Sequence, residues 1–223
     1  MQNLPIQCVI FDCEGTLIDS ETLCCQALHQ LFQDKGVTLP IEQVTALFDG
    51  GKSADILMRL LEYAGLHWDL DELEQNYRAR TEQLFAQDLI PMDGVVDLLE
   101  RLTAQNIDVC VASNGPQHKI CRLLELAGLA GYFKDRVFSA FEANSWKPEP
   151  DLIHYCAMGM GYRLAECLYI DDTVRGITAG LRAGVETYHL QTLSRAPLVY
   201  TPGCHTIRHL NELQTVLWPR ALA

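Results

Sequence analysis

The sequence predicts an α/β protein in which a doubly wound, mostly parallel sheet carries a small inserted helical domain. Three observations support this fold class: short apolar runs alternate with helical patterns, one long interval is helical only, and 223 residues suit one sizeable domain with a small insert. The apolar fraction of 48% and the charged fraction of 21% are ordinary for a globular protein.

The predicted core strands are five short apolar runs bounded by turn residues. They cover residues 7–11, 108–112, 136–139, 166–170 and 186–190. Helical patterns separate them: one spans residues 95–104, one opens at Pro116 and closes at Gly128, and one ends at Gly184. Strands that alternate with helices of this length predict parallel pairing.

The last part of the chain has a different composition. From about Leu193 it is rich in loop-forming residues, among them Pro197, Pro202 and Gly203. After this loop we expect a short strand and a last helix that begins at Asn211.

Residues 20–89 contain no convincing strand pattern and predict four helices. Three apolar stripes at helical spacing run through this interval, and each would bury one face of a helix. The stripes are Leu23, Ala27, Leu28, Leu31 and Phe32; Ile56, Leu57, Leu60, Leu61 and Ala64; and Leu73, Tyr77, Thr81 and Leu84. We therefore expect a helical domain over residues 19–89, inserted into a core domain of residues 1–18 and 90–223.

The charge balance and the cysteines limit the partners and the compartment. A formal net charge of −12 argues against non-specific binding to nucleic acid or to an anionic membrane, because both need clustered Lys and Arg. None of the nine cysteines forms a CxxC pair, which is typical of reduced core thiols. There is no leader pattern and no apolar stretch of membrane length. We expect a cytoplasmic monomer with no nucleic-acid or membrane partner.

Polar side chains follow four of the predicted strands at their carboxyl ends. In a doubly wound sheet these ends meet at one edge, where ligands bind. The residues placed there are Asp12, Glu14, Ser113, Asn114, Lys147, Asp171 and Asp172. Each of these residues taken alone is commonly a helix cap, a turn residue or a surface charge. Their joint occurrence at successive strand ends predicts a single site.

This group of residues suits phosphoryl transfer. Several carboxylates this close together cannot all stay ionised without a cation, and Mg²⁺ is the usual ion beside a phosphate. Asp12 would act as a nucleophile that attacks phosphorus, and Lys147 with the donors around Ser113 would stabilise the transferring oxygens. Glu14 is placed to protonate the leaving oxygen and then to activate a water molecule.

The motifs resemble those of the haloacid dehalogenase (HAD) superfamily. They comprise residues 12–21 (DCEGTLIDSE), 113–115 (SNG), 147–151 (KPEPD) and 171–172 (DD). The helical insert resembles the cap of the branch that contains β-phosphoglucomutase and phosphoglycolate phosphatase. The resemblance covers nearly the whole chain and implies a Rossmann-like core domain with an α-helical cap domain.

The resemblance also implies roles for individual residues. Asp12 matches the family nucleophile and Glu14 the general acid and base, while Ser113 and Lys147 match the residues that bind the phosphoryl group. The implied magnesium ligands are Asp12, Glu14 through its backbone carbonyl, Asp171 and Asp172, and Mn²⁺ or Co²⁺ could substitute for Mg²⁺. Glu14 departs from the pattern, because the family usually has Asp at this place. The extra methylene moves the carboxyl group by roughly 1 Å, which can cost on the order of a hundredfold in rate.

The substrate-binding residues implied outside the strand ends lie in the cap. Residues 49–53 (DGGKS) resemble the family's specificity loop, in which Gly51 lets the backbone approach a ligand and Ser53 could cap the next helix. Lys52 would meet a second anionic group of the substrate, or it is simply a solvated lysine. Asn114, beside Ser113, is the remaining candidate for substrate binding.

The sequence therefore predicts a magnesium-dependent phosphoric monoester hydrolase that acts on small phosphorylated metabolites through an aspartyl-phosphate. Within its branch the chain is most similar to bacterial sugar-phosphate phosphatases, which implies sugar phosphates or sugar-acid phosphates such as 6-phosphogluconate. Three alternatives stay open: a phosphomutase of the β-phosphoglucomutase type, a metal-independent dehalogenase, and a non-catalytic protein that binds phosphometabolites.

Overall fold

The computed structural model describes residues 5–191 and 202–218 and divides into two units. The core unit comprises the described residues of Met1–Ile18 and Ile90–Ala223, and the helical unit comprises Asp19–Leu89. The loop-rich prediction that includes Pro197 falls on residues 192–201, which lie outside the described residues.

Four helices form the helical unit, as predicted. They are α1 (Ser20–Asp34), α2 (Ile41–Leu47), α3 (Ser53–Ala64) and α4 (Leu70–Asp88). The side chains of Asp19 and Asp69 accept hydrogen bonds from the first turns of α1 and α4, which fixes where these two helices begin. In α4, Phe85 and not Leu84 completes the buried stripe, because it continues the four-residue spacing from Thr81.

The core unit contains a six-stranded sheet. Its strands are β1 (Cys8–Phe11), β2 (Asp108–Ser113), β3 (Val137–Ser139), β4 (Cys167–Asp171), β5 (Glu186–Leu190) and β6 (His205–Ile207). Their spatial order is β3-β2-β1-β4-β5-β6, and every neighbouring pair is parallel. All five predicted strands are present, and β6 is the short strand expected near the end of the chain. The predicted doubly wound α/β fold class is confirmed.

Seven helices accompany the sheet in the described part of the core unit. They are α5 (Val95–Ala104), α6 (Gln117–Leu126), α7 (Ala130–Phe133), α8 (Ala140–Ala143), α9 (Asp151–Met160), α10 (Val174–Ala183) and α11 (Glu212–Leu217). Gly184 ends α10 in the left-handed conformation, as predicted, and α11 begins directly after Asn211. Within the described ranges, no helix has both the length and the apolar character that crossing a membrane requires.

The strand order reverses beside β1. After β1 the chain adds β2 and β3 on one side, and it then returns to place β4 on the other side of β1. In open parallel sheets, ligands bind outside the carboxyl ends of the strands at this reversal. Phe11 pairs with Ile170 in the register of β1 and β4, and Asp12 donates its backbone N–H to the Ile170 carbonyl at 2.9 Å. The next residues of the two strands, Asp12 and Asp171, are therefore neighbours at this edge.

Candidate active site

Three buried carboxylates meet at the reversal between β1 and β4. Asp12 follows β1, Asp171 is the last residue of β4, and Asp172 comes next in the chain. One carboxylate oxygen from each lies within 4.8 Å of the others. The structure thus brings together three of the four predicted acids, and the cluster has only hard oxygen donors.

Lys147 lies between two of these acids. Its ammonium group donates a hydrogen bond to Asp12 Oδ1 and another to Asp171 Oδ2, the latter at 2.8 Å. The side chain is only 3% exposed, and such burial alone would lower its pKa. The two neighbouring carboxylates outweigh burial and hold the pKa of Lys147 well above its usual value. Lys147 is therefore a fixed positive charge inside the site.

Asp171 accepts hydrogen bonds on both of its oxygens. Oδ2 receives Lys147 Nζ and the Tyr169 hydroxyl, the latter at 2.5 Å, while Oδ1 receives the backbone N–H and the hydroxyl of Thr173, each at 2.7 Å. Burial opposes ionisation, but Lys147 and these hydroxyls prevail, so the pKa of Asp171 is lowered. Its carboxylate is thus ionised and rigidly held.

The pKa values of the other two carboxyl groups, Asp12 and Asp172, are raised instead. Burial raises the pKa of Asp12 to about 7, even though Lys147 acts in the other direction. Burial and the charges of Asp171 and Asp12 raise the pKa of Asp172 well above its usual value. Three carboxylates share one ammonium group, which leaves two negative charges in excess when all three are ionised. A hard divalent cation would offset this excess, so the residues present fit a Mg²⁺-type ion.

Backbone and hydroxyl contacts shape the loop after β1. The Thr16 hydroxyl donates to Asp172 Oδ1 at 2.9 Å and ties this loop to the end of β4. Gly15 has a φ of +88°, and a Cβ at this position would lie 2.5 Å from Asp172 Oδ2. Glycine is therefore required here both for the backbone conformation and for the close approach of Asp172.

Glu14 lies apart from the three-acid cluster. Its carboxylate accepts from Lys119 Nζ at 3.1 Å on Oε1 and 2.9 Å on Oε2. The Glu14 side chain is 32% exposed, whereas the three clustered acids are buried. As a metal ligand it remains a candidate only through its backbone carbonyl, in the way that the resemblance implies.

Ser113 and Asn114 occupy the end of β2 and the turn after it. Ser113 Oγ accepts from the Gly115 backbone N–H at 3.2 Å. The Asn114 side chain accepts from the Lys147 backbone N–H at 2.9 Å and donates to the Lys147 carbonyl at 3.5 Å. Asn114 thus positions the segment that carries Lys147, a role that the sequence did not indicate.

The remaining predicted site residues, Gly51 and Lys52, belong to the helical unit. Both are exposed and directly precede α3. The Gly51 N–H donates to Asp49 Oδ1 at 3.0 Å, which gives the loop a tight turn. Ser53 was expected to cap α3, but it is the first residue of the helix, and its hydroxyl donates to Glu74 instead.

Four contributors to the site were missed from the sequence: Thr16, Lys119, Tyr169 and Thr173. A signal existed for Tyr169, because residues two apart in a strand face the same side and Asp171 ends that strand. Thr16 and Thr173 lie within four residues of predicted acids, as expected of side chains that orient them. Lys119 lies 105 positions from Glu14 along the chain, and no pattern in the sequence indicates that they meet.

Comparison with known proteins identifies the family of the chain. Residues 6–184 match the haloacid dehalogenase-like hydrolases. The 6-phosphogluconate phosphatase of Escherichia coli strain K12 is 34% identical over 213 residues, which is 96% of this chain and 95% of that protein. The chain belongs to the haloacid dehalogenase-like hydrolase family. The family resemblance and the prediction of a hydrolase are thereby confirmed.

Solved structures agree on the fold. A HAD family hydrolase from Deinococcus radiodurans R1 has a TM-score of 0.84 at 22% identity, with 96% of each chain covered. A haloacid dehalogenase-like protein of Agrobacterium tumefaciens strain C58 has a TM-score of 0.80 at 25% identity, covering 95% of this chain and 97% of that one. The agreement extends over nearly the full length of all three chains.

Proposed function

We propose that this hydrolase is a magnesium-dependent phosphatase that cleaves small phosphorylated metabolites through an aspartyl-phosphate on Asp12. The observation that carries the proposal is the contact between Lys147 and Asp12 beside two further buried acids at the strand-order reversal. The similarity to a 6-phosphogluconate phosphatase over nearly the full length supports the choice of phosphate esters.

Asp12 is the proposed nucleophile. Lys147 binds its Oδ1 and leaves Oδ2 as the atom that attacks phosphorus. A bond forms between Asp12 Oδ2 and phosphorus, and the bond from phosphorus to the substrate oxygen breaks. Glu14, in its protonated form, gives its proton to that leaving oxygen. It then removes a proton from a water molecule, whose oxygen attacks phosphorus, so that phosphate leaves and the Asp12 carboxylate is restored.

Phosphate recognition falls to fixed donors around Asp12. Lys147 and the Ser113 hydroxyl are proposed to bind the equatorial oxygens, on which negative charge is concentrated during transfer. The Asn114 amide keeps Lys147 in place through the Lys147 backbone. Because these groups are held by the fold before the substrate arrives, they need little reorganisation at the moment of reaction.

Magnesium is the proposed cofactor, with Mn²⁺ or Co²⁺ as substitutes. Asp12, Asp172 and the Glu14 carbonyl would hold the ion, with Asp171 next to it. Bound there, a divalent ion would offset the excess carboxylate charge and withdraw charge from a phosphoryl oxygen. The residues favour such an ion because the cluster offers carboxylate oxygens and has excess negative charge.

The proposed substrates are sugar phosphates and sugar-acid phosphates such as 6-phosphogluconate. This proposal comes from the similarity to the Escherichia coli enzyme. The helical unit is proposed to act as the cap, with Gly51 and Lys52 contributing to substrate choice. A monomeric state and a cytoplasmic location also stay predictions, which size-exclusion chromatography and cell fractionation would test.

The decisive experiment is a phosphate-release screen of the full chain over phosphorylated metabolites, with Mg²⁺ or with EDTA. We expect release that depends on Mg²⁺ in the wild type and a loss of more than about a thousandfold in Asp12→Asn. Full activity in EDTA would instead favour dehalogenase-like, metal-independent chemistry. Conversion of a hexose 1-phosphate to its 6-phosphate without free phosphate would favour a mutase. If no ester is hydrolysed while wild type and Asp12→Asn bind them equally, the chain is a binding protein.

A further inference from the structure

The contact between Lys119 and Glu14 is the most informative feature that the proposed mechanism does not use. Lys119 lies in the first turn of α6, the helix that follows β2 and its last residue Ser113 along the chain. Its ammonium reaches both Glu14 oxygens, at 2.9 and 3.1 Å. The Glu14 carboxylate, in the loop after β1, is thus held by a residue of α6, the helix that follows β2.

Stability does not explain this ion pair. The Lys119 side chain is 46% exposed and the Glu14 side chain is 32% exposed. Ion pairs this exposed contribute little to the free energy of folding, because water screens them. Glutamate has one more rotatable bond than aspartate, so an unanchored Glu14 carboxylate would sample several positions. An anchor at the tip removes that freedom at the atom that is proposed to transfer the proton.

We propose that Lys119 is a positioning residue for Glu14, which holds the carboxylate where the leaving oxygen of the substrate departs. This inference rests on the proposed phosphatase function. It also explains how glutamate can serve at a position where aspartate is usual in this family. An aspartate at residue 14 lacks one methylene, which would draw its carboxyl group back from Lys119 by roughly 1 Å.

A double-mutant cycle tests the coupling between the two residues. Lys119→Met keeps the length of the side chain but removes the charge, and we expect kcat for a sugar phosphate to fall about tenfold with KM changed less than about twofold. In a Glu14→Asp background, the same substitution should change kcat by less than about twofold, since the contact is already lost. Lys119→Arg should restore kcat to within about threefold of the wild type, because it again presents donors to Glu14.

The leaving group provides a second readout. The value of kcat/KM covers steps up to formation of the aspartyl-phosphate, and nitrophenolate leaves without needing a proton. Lys119→Met should therefore lower kcat/KM about tenfold for a sugar phosphate and less than about twofold for p-nitrophenyl phosphate. A merely structural defect would lower both values equally.

Arg122→Met is the matched control. Arg122 lies on the same helix and also forms an exposed ion pair, but its partner, at 3.6 Å, is Glu125 and not Glu14. It should leave both substrates unaffected. Equal losses from Lys119→Met in the wild-type and Glu14→Asp backgrounds would overturn the inference, and so would a rise in KM alone, which would indicate direct substrate binding. If the wild type itself releases no phosphate, the proposed function fails first and the inference fails with it.

Discussion

Substitution of Gly176 tests how tightly the Asp171 carboxylate is packed. It lies in the first turn of α10, directly over the Asp171 carboxylate. A Cβ at this position would lie 1.8 Å from Asp171 Oδ2, 1.9 Å from Cγ and 2.2 Å from Oδ1. Because real Cβ atoms essentially never approach a non-bonded atom closer than 3.0 Å, Gly176→Ala must move the carboxylate, or the helix, by more than about 1 Å.

The cost of that movement follows from the contacts of Asp171. Its carboxylate accepts four hydrogen bonds, from Lys147, Tyr169 and both donors of Thr173. Weakening buried bonds to a charged group costs about 1.5–3 kcal/mol each, and overpacking adds about 1–3 kcal/mol. Alanine gains only about 1 kcal/mol over glycine inside a helix. Allowing for partial relaxation, we expect a net loss of about 2–4 kcal/mol in the free energy of unfolding.

Urea unfolding in EDTA measures this loss without a contribution from bound metal. Gly131→Ala is the matched control, because Gly131 lies in α7 and a Cβ there would meet nothing within 4 Å. The control should change stability by no more than about 1 kcal/mol, in the stabilising direction. Gly176→Ala with wild-type stability and wild-type phosphate release would refute the conclusion that Asp171 must keep its place.

Four further predictions concern charge and specificity. Burial raises the pKa of Asp12 from its usual 3.8 to about 7, so protonated Asp12 favours the folded state at low pH. The metal-free protein should therefore lose stability as the pH rises from about 3.8 to about 7. Asp12→Asn should flatten this part of a plot of unfolding free energy against pH. Asp172→Asn should raise the melting temperature of the metal-free protein, because it replaces a buried carboxyl group whose ionisation burial opposes. It should also abolish the stabilisation that Mg²⁺ gives to the wild type. Thr16→Val removes the hydroxyl that orients Asp172 and should weaken Mg²⁺ about tenfold in a calorimetric titration. Lys52→Ala should raise KM for 6-phosphogluconate more than for glucose 6-phosphate, since only the former carries a carboxylate.

Each of these predictions has a clear contrary result. If unfolding free energy falls equally with pH in the wild type and in Asp12→Asn, groups other than Asp12 determine the pH dependence of stability. An Asp172→Asn protein that still gains stability from Mg²⁺ would place the ion elsewhere. Unchanged Mg²⁺ affinity in Thr16→Val would remove Thr16 from the site, and equal KM changes for both substrates would remove Lys52 from the choice of substrate.

The positions of the acids were predictable because backbone rules determine them. Short buried strands, such as residues 7–11, are visible as apolar runs, and parallel strands bring their carboxyl ends to one edge. This was enough to bring Asp12, Lys147 and Asp171 together from distant segments. β3 starts at Val137 where Arg136 was predicted, and Phe85 is buried where Leu84 was predicted. Sequence patterns locate an element only to within one or two residues.

The side-chain partners were not predictable in the same way. Contacts such as Thr16 with Asp172 and Lys119 with Glu14 join residues 156 and 105 positions apart. They depend on the register of strands and on the rotamers of long side chains, and neither is encoded in local periodicity. The sequence indicated which chemical groups meet, whereas the assignment of each donor to each acceptor required the structure.

That assignment separates the roles of three acids that are alike in type and burial. A carboxylate has about four lone-pair sites, and the four donors around Asp171 fill them. Asp171 therefore has little capacity left to attack phosphorus or to bind a metal ion directly, and its ionised state serves to anchor Lys147. Asp12 accepts a hydrogen bond from Lys147 on Oδ1, and Asp172 accepts one from the Thr16 hydroxyl on Oδ1 at 2.9 Å. These contacts support the proposal that Asp12 is the nucleophile and that a divalent cation would bind between Asp12 and Asp172.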